Sequence, residues 1–286
     1  MERYRARETT GFVSCVGLDP NPDLLPHQFK MYSEQFGASA PIQAFLTNIV
    51  DATHTRVGTF KPNIAFYQTC PNMLRELIAY IRAVSEKAVA VIVDGKWGDI
   101  GSTNQQTADF AFNYLGADAI TIHGWPGREA MLPFISRPDK GVFVVCRTSN
   151  PGANEFQSRI DQATGLPLFA LMAERVAHSW NILGNCGLVV GGTCPIEDIQ
   201  IVRRIIGPGM PILMPGFGKQ GGDVATALQI GLDEFGCGVL PANSRAIIHA
   251  ATADATYQEA AVRALVEFNA AIALSRAKNK PSESRV

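Results

Sequence analysis

The chain has 286 residues, 47% hydrophobic and 18% charged, enough apolar content for one barrel-sized domain or two small ones. Its 25 basic and 26 acidic residues leave a formal net charge of -1, which argues against nucleic acid or an anionic membrane as the main partner. A few basic residues converging on a small anion remain compatible with that total.

The first residues are charged and precede no apolar run of signal-peptide length, and no stretch reaches the roughly 20 apolar residues of a membrane span. The six cysteines, at positions 15, 70, 146, 186, 194 and 237, are scattered and form no C-x-x-C pair. That pattern fits reduced thiols in a cytoplasmic protein rather than a disulfide or zinc framework. Cys15 and Cys146 lie in apolar runs and read as small buried hydrophobes.

Eight short apolar or β-branched runs recur along the chain, at residues 12–18, 57–60, 88–93, 119–122, 142–146, 187–190, 211–214 and 234–240. Helical periodicity predicts helices between them at 42–54, 72–86, 104–115, 168–182, 196–206 and 223–230, and a last amphipathic stretch at 257–277 would close a ring. Eight such units in one chain match a (β/α)8 TIM barrel, typically about 250 residues, better than an open doubly wound sheet. No G-x-G-x-x-G follows the first run, and no Pro-, Ser- or charge-rich linker divides the chain. The expectation is one barrel domain over 1–286, with a short charged N-terminal extension and a loose tail from about residue 278.

Polar residues follow five successive predicted strands: Asp19, then Lys61, then Asp94 with Lys96, then His123, then the stretch from Arg147 to Asn150. In a barrel these carboxyl ends are where active sites are assembled. Asp94 and Lys96 are two apart, so in extended chain both would point to the same side of the strand. Asp99 opens the next loop. Carboxylates placed around a lysine hold it protonated, since opposite unit charges about 4 Å apart interact by roughly 4 kcal/mol at an effective dielectric near 20. A lysine held that way can give a proton to a carbanion. The same trio could also form an ion-pair lattice sealing the barrel mouth. Gly95, Gly98 and Gly101 interleave the charges, which suits close approach of a ligand more than a lattice.

After the seventh run comes a glycine-rich loop, Pro215-Gly-Phe-Gly-Lys-Gln220-Gly-Gly-Asp, and after the eighth comes Asn243-Ser244-Arg245. Loop amides and an arginine able to make a bidentate pair at this place in a barrel point to phosphate binding. His123 ends a strand but reads as a structural histidine. His27, His54, His178 and His249 lack metal-ligand spacing. Neither a metal nor a cofactor is expected.

These residues resemble the orotidine 5'-phosphate decarboxylase family, in its longer bacterial branch. Its D-x-K-x-x-D-I-x-x-T pattern is met by Asp94, Lys96, Asp99, Ile100 and Thr103. Further matches are Val16-Gly-Leu-Asp19-Pro, Phe60-Lys61-Pro-Asn-Ile-Ala-Phe, Thr148-Ser149-Asn150-Pro151-Gly152, Val189-Val190-Gly191, the loop from Pro215 to Gly222, and Asn243-Ser244-Arg245. The resemblance covers about residues 10 to 250. It implies decarboxylation of orotidine 5'-monophosphate to uridine 5'-monophosphate, the last step of de novo UMP synthesis, through a carbanion-like intermediate and without a cofactor.

By the same resemblance Lys96 protonates the pyrimidine ring carbon, Asp94 lies by the departing carboxylate, and Lys61 and Asp19 hold the ribose and the charge network. Asp99, Ile100 and Thr103 reach into the partner's site of a homodimer. Ser149 contacts the pyrimidine, and Gln220, Ser244 and Arg245 belong to the substrate-binding set, with Gln220 and Arg245 gripping the phosphate. The sequence departs from the family pattern at Gly95, where alanine is usual, and at Trp97, where a basic residue is usual; Trp97 reads as a packing aromatic. A metal-assisted sugar-phosphate enzyme of the same superfamily would want acidic ligands on the early strands, where this chain has Lys61. A catalytically silent nucleotide-binding barrel would have no need of Lys96.

Overall fold

The computed structural model describes residues 13–36, 39–86, 89–217, 224–250 and 257–279. Eight parallel strands follow one another in chain order around a closed barrel. They are β1 (Cys15–Gly17), β2 (Thr59–Lys61), β3 (Ala90–Trp97), β4 (Ala119–His123), β5 (Gly141–Arg147), β6 (Cys186–Val190), β7 (Ile212–Pro215) and β8 (Val239–Asn243). Strand β8 returns to β1, with Cys15 opposite Ala242 and Val16 opposite Asn243. The chain therefore forms the expected (β/α)8 barrel.

The helices bury the stripe that their periodicity predicts. Helix Ser39–Thr53 turns Ile42, Phe45, Leu46, Ile49, Val50 and Thr53 inward, the i, i+3, i+4, i+7 spacing of one helical face. Helix Pro71–Val84 does the same with Met73, Leu74, Leu77, Ile78 and Ile81, and starts on a proline whose missing N–H costs nothing in the first turn. Helix Tyr257–Asn279 packs on both helix Val224–Gly231 and helix Ser39–Thr53, which closes the outer ring. Inside the barrel a separate cluster of Cys15, Ile92, Ala119, Phe143, Val145, Val189, Leu213, Leu240 and Ala242 fills the lumen, so the barrel is a packed core and not a pore.

Three expectations are corrected here. The eighth strand begins five residues later than the run at 234–240 because the Asp233 carboxylate accepts N–H bonds from Phe235 and Cys237 and makes that segment a turn. Helix Arg128–Ile135, between β4 and β5, was not expected, since it is short and has Pro133 inside it. Lys278 lies in the last helix rather than in a tail. The expected short N-terminal extension, and the part of the expected tail beyond 279, fall outside the described residues.

Candidate active site

Strand β2 ends on Lys61, and β3 runs beside it to Asp94, which bridges Asn63. Both side chains are buried, with the Lys61 Nζ donating to Asp94 Oδ2 at 2.8 Å. Burial by itself would drive the Lys61 ammonium to give up its proton, but the charges of Asp19 and Asp94 outweigh it and hold its pKa above the ordinary lysine value. Burial likewise disfavours the Asp94 carboxylate, yet the Lys61 and Lys96 charges and their hydrogen bonds hold it well below the usual carboxylate range. The second oxygen, Oδ1, accepts from Lys96 Nζ at 2.7 Å. One carboxylate thus serves two ammonium groups.

Lys96 does not reach this position by simple strand alternation. Val93 is opposite Ile120 and Trp97 is opposite Ile122, so β3 spends four steps where β4 spends two. Asp94, Gly95 and Lys96 occupy the resulting bulge, a common device beside active sites. Within it Lys96 has φ +44°, the only non-glycine residue among the described residues in the left-handed region, at a cost on the order of 1 kcal/mol. Its backbone N–H donates to the Thr121 hydroxyl at 2.9 Å, and that hydroxyl donates to Asp94 Oδ1 at 2.7 Å. Sequence reasoning missed Thr121, because a threonine in a strand reads as ordinary β-propensity.

The expected role of the interleaved glycines is also corrected. A Cβ on Gly95 would stand 2.3 Å from Trp97 Cε2, and one on Gly98 would stand 2.9 Å from the His123 carbonyl. Those two spaces are filled by the chain's own packing rather than left for a ligand. Trp97 itself is partly buried against the core, the packing aromatic that was expected. The indole of Trp97 therefore occupies the volume that a methyl at position 95 would take.

Asp99 does not join the array, contrary to the expectation of one trio around a point. It is exposed and makes no ion pair among the described residues, and its Oδ1 accepts from the Ile100 N–H at 2.6 Å. Ile100 and Thr103 are exposed with it. The buried Asn104 fixes the segment: its Oδ1 accepts from the Asp99 N–H, and its Nδ2 donates to the carbonyls of Asp99 and Ala130. Asn104 was another residue that pattern reading left aside.

Asp19, at the end of β1, accepts the Asn63 N–H at 3.1 Å. It lines a cavity of about 720 Å³ together with Lys61, Gly216, Ser244, Arg245 and His249. Ser244 donates to the Gly17 carbonyl at 3.1 Å. Arg245 is exposed and pairs with no carboxylate among the described residues, leaving its guanidinium open to an anion. His249 stacks on Phe45 at 5.3 Å and accepts the Asn21 N–H; burial lowers its pKa to about 4, so it is neutral near pH 7. Gln220 lies outside the described residues.

Strand β5 ends on Arg147, where the polar stretch was expected to begin. Arg147 is buried and turns to the helix layer, donating to Asp198 at 2.7 Å and to Asn154 at 2.7 Å and lying over the Phe169 ring. Gln157 takes the Thr148 N–H and donates to its hydroxyl. This network braces the loop that carries Ser149, which is exposed and stands beside Gly191 at the end of β6. Partial burial and the Lys96 charge lower the His123 pKa. Among the described residues no group of three or more His, Cys, Asp or Glu could hold a metal ion, and no helix is long and apolar enough to cross a membrane. All six cysteines are free, and burial pushes the Cys15 thiol up to about 12.

The barrel mouth thus presents two ammonium groups on one carboxylate beside a cavity edged by an open arginine. Residues 14–267 match the sequence profile of the Orotidine 5'-phosphate decarboxylase / HUMPS family. The orotidine 5'-phosphate decarboxylase of Cupriavidus necator is 44% identical over 238 residues, spanning 82% of this chain and 84% of that protein. That of Aromatoleum aromaticum is 42% identical over 269 residues, spanning 93% and 95%. The solved structure of Leishmania donovani OMP decarboxylase superposes with a TM-score of 0.80 at 29% identity, covering 96% of this chain and 97% of that one. The chain belongs to the orotidine 5'-phosphate decarboxylase family.

Proposed function

We propose that the activity of this family, decarboxylation of orotidine 5'-monophosphate to uridine 5'-monophosphate, is carried in this chain by the Lys61–Asp94–Lys96 array acting on a substrate anchored at Arg245. The observation that supports it most is the sharing of Asp94 between two ammonium groups, at 2.8 Å and 2.7 Å, because it supplies a protonated lysine with no free base beside it. The bond between the ring carbon and the carboxylate breaks, its electron pair stays on the carbon, carbon dioxide leaves, and the Lys96 ammonium delivers a proton to that carbon. Lys96 is then neutral and regains a proton from water.

Both oxygens of Asp94 are already bonded to ammonium groups, which screens its charge from the substrate carboxylate, so the reading rests on stabilisation of the developing carbanion rather than on repulsion by Asp94. Lys61 and Asp19, which line the cavity with Arg245 and Ser244, take the ribose side. Arg245 and Gln220 take the 5'-phosphate, whose binding energy orients the reacting end. Ser149, on its braced loop, takes the pyrimidine edge.

Asp99, Ile100 and Thr103 complete the site of a second copy in a homodimer, a role that their exposure and the Asn104 brace support. The cytoplasm is the compartment that the free thiols suit. The deciding experiment is a spectrophotometric assay with orotidine 5'-monophosphate in the presence of a chelator. Loss of substrate absorbance is expected, and its absence at high enzyme concentration would overturn the reading. For the dimer, mixing inactive Lys96→Ala and Asp99→Ala chains should regenerate activity through mixed pairs; mixtures that stay inactive would count against shared sites.

A further inference from the structure

We propose that Thr121 is a positioning residue for the proton donor, holding the Lys96 backbone and the Asp94 carboxylate in one fixed relation through a single hydroxyl. The inference rests on the reading of Lys96 given above. Thr121 stands on β4, fully inside the protein at 1% exposure, directly across from the bulge in β3. Its hydroxyl can donate once, and it donates to Asp94 Oδ1 at 2.7 Å. It accepts the Lys96 N–H at 2.9 Å. Lys96 Nζ closes the ring by donating to the same Oδ1 at 2.7 Å.

The arrangement answers a specific problem. In the bulge the β3 backbone has left its ladder with β4, so the Lys96 N–H has no strand carbonyl opposite it and needs another acceptor. A residue with φ +44° also needs its surroundings to hold it there. Thr121 does both, and its donor proton fixes which way the Asp94 carboxylate turns. Without the hydroxyl the bulge can relax toward extended chain, which moves Nζ along the strand and away from the reacting carbon. A displacement of about 1 Å at such a centre lowers turnover on the order of 100-fold.

Thr121→Val keeps the side-chain shape and removes both hydrogen bonds, whereas Thr121→Ser keeps both. In the full-length enzyme Thr121→Val should lower kcat by about 10- to 100-fold while KM stays within about threefold, since Arg245 and the cavity walls are untouched. Thr121→Ser should return kcat to within about threefold of wild type. A valine variant with wild-type kcat, a loss that falls on KM instead, or a serine variant as slow as the valine variant would each overturn the assignment. Thermal melting decides whether the valine variant is folded; if it is not, Thr121→Ala is read by the same criteria. Failure of the underlying functional reading is seen separately, as a wild-type protein that does not consume orotidine 5'-monophosphate.

Discussion

On the β2–β3–β4 side of the barrel mouth, the charges of the array are answered within it: Lys61 and Lys96 share Asp94, and Thr121 fixes the carboxylate between them. On the β7–β8 side Arg245 is exposed, pairs with no carboxylate among the described residues, and faces a cavity of about 720 Å³. The first arrangement is finished before any substrate arrives, as charge stabilisation in a transition state requires. The second is completed only by an anion. On the proposed reading, chemistry and anchoring are thus built on different sides, one by satisfying its own groups and the other by leaving them open.

The largest effect that would break this contrast is on turnover. Lys96→Ala should lower kcat by at least about 10²- to 10⁴-fold while affinity for the product nucleotide, measured by calorimetry, stays within about tenfold. Substantial turnover in that variant would remove the chemical side of the comparison.

Stability comes next. Asp94→Asn leaves a buried lysine facing a neutral amide, and should cost about 3–5 kcal/mol in urea unfolding. The sign with pH follows from the two shifts. The lowered Asp94 pKa contributes stability above the unfolded carboxylate value of about 4, lost as pH falls through the folded value. The raised Lys61 pKa contributes stability below about 10.4, lost as pH rises through its folded value. The pair therefore supports the fold across about pH 4 to 10, and Asp94→Asn should lose less stability than the wild type as pH falls below about 4. Parallel acid limbs in variant and wild type would show that the pair is energetically idle.

On the anchoring side Arg245→Ala should raise KM by about 10- to 100-fold, the loss of one charge-assisted contact, with kcat changed less and urea unfolding unchanged. A fall in kcat at constant KM would mean that the two sides are not separate.

The barrel was readable because each strand and helix repeats a simple burial rule, and Ile196–Ile206 fell on its expected bounds. The eighth strand was displaced because Cys237 and Val239 are both apolar in sequence, while only the Asp233 carboxylate distinguishes turn from strand. Strand ends gave Asp19, Lys61, Asp94 and Lys96 correctly as neighbours of the mouth. They gave Arg147 its place at the end of β5 but not its direction, since the chain passes through a register shift between Val145 and Arg147 and the side chain turns outward. Thr121 and Asn104 were illegible for a different reason. Their importance lies in satisfying backbone groups of residues 25 and 5 positions away, and nothing in a linear pattern records which N–H a bulge leaves unpaired.

The smallest predicted effect tests whether the reactive side tolerates change in its packing while its charges stay fixed. Gly95 and Trp97 meet in one space, where a Cβ at position 95 would lie 2.3 Å from the indole. Gly95→Ala alone should therefore cost about 1–3 kcal/mol as the ring is forced aside, and should lower kcat, because the displaced bulge carries Lys96. Trp97→Lys alone removes a partly buried ring and should cost a similar amount. If the two positions are one unit, the double variant Gly95→Ala with Trp97→Lys should lose less than the sum of the single changes, the methyl entering space that the indole has left. Urea midpoints of the four proteins measure that coupling. Additive losses would mean that the methyl and the indole do not compete for one space.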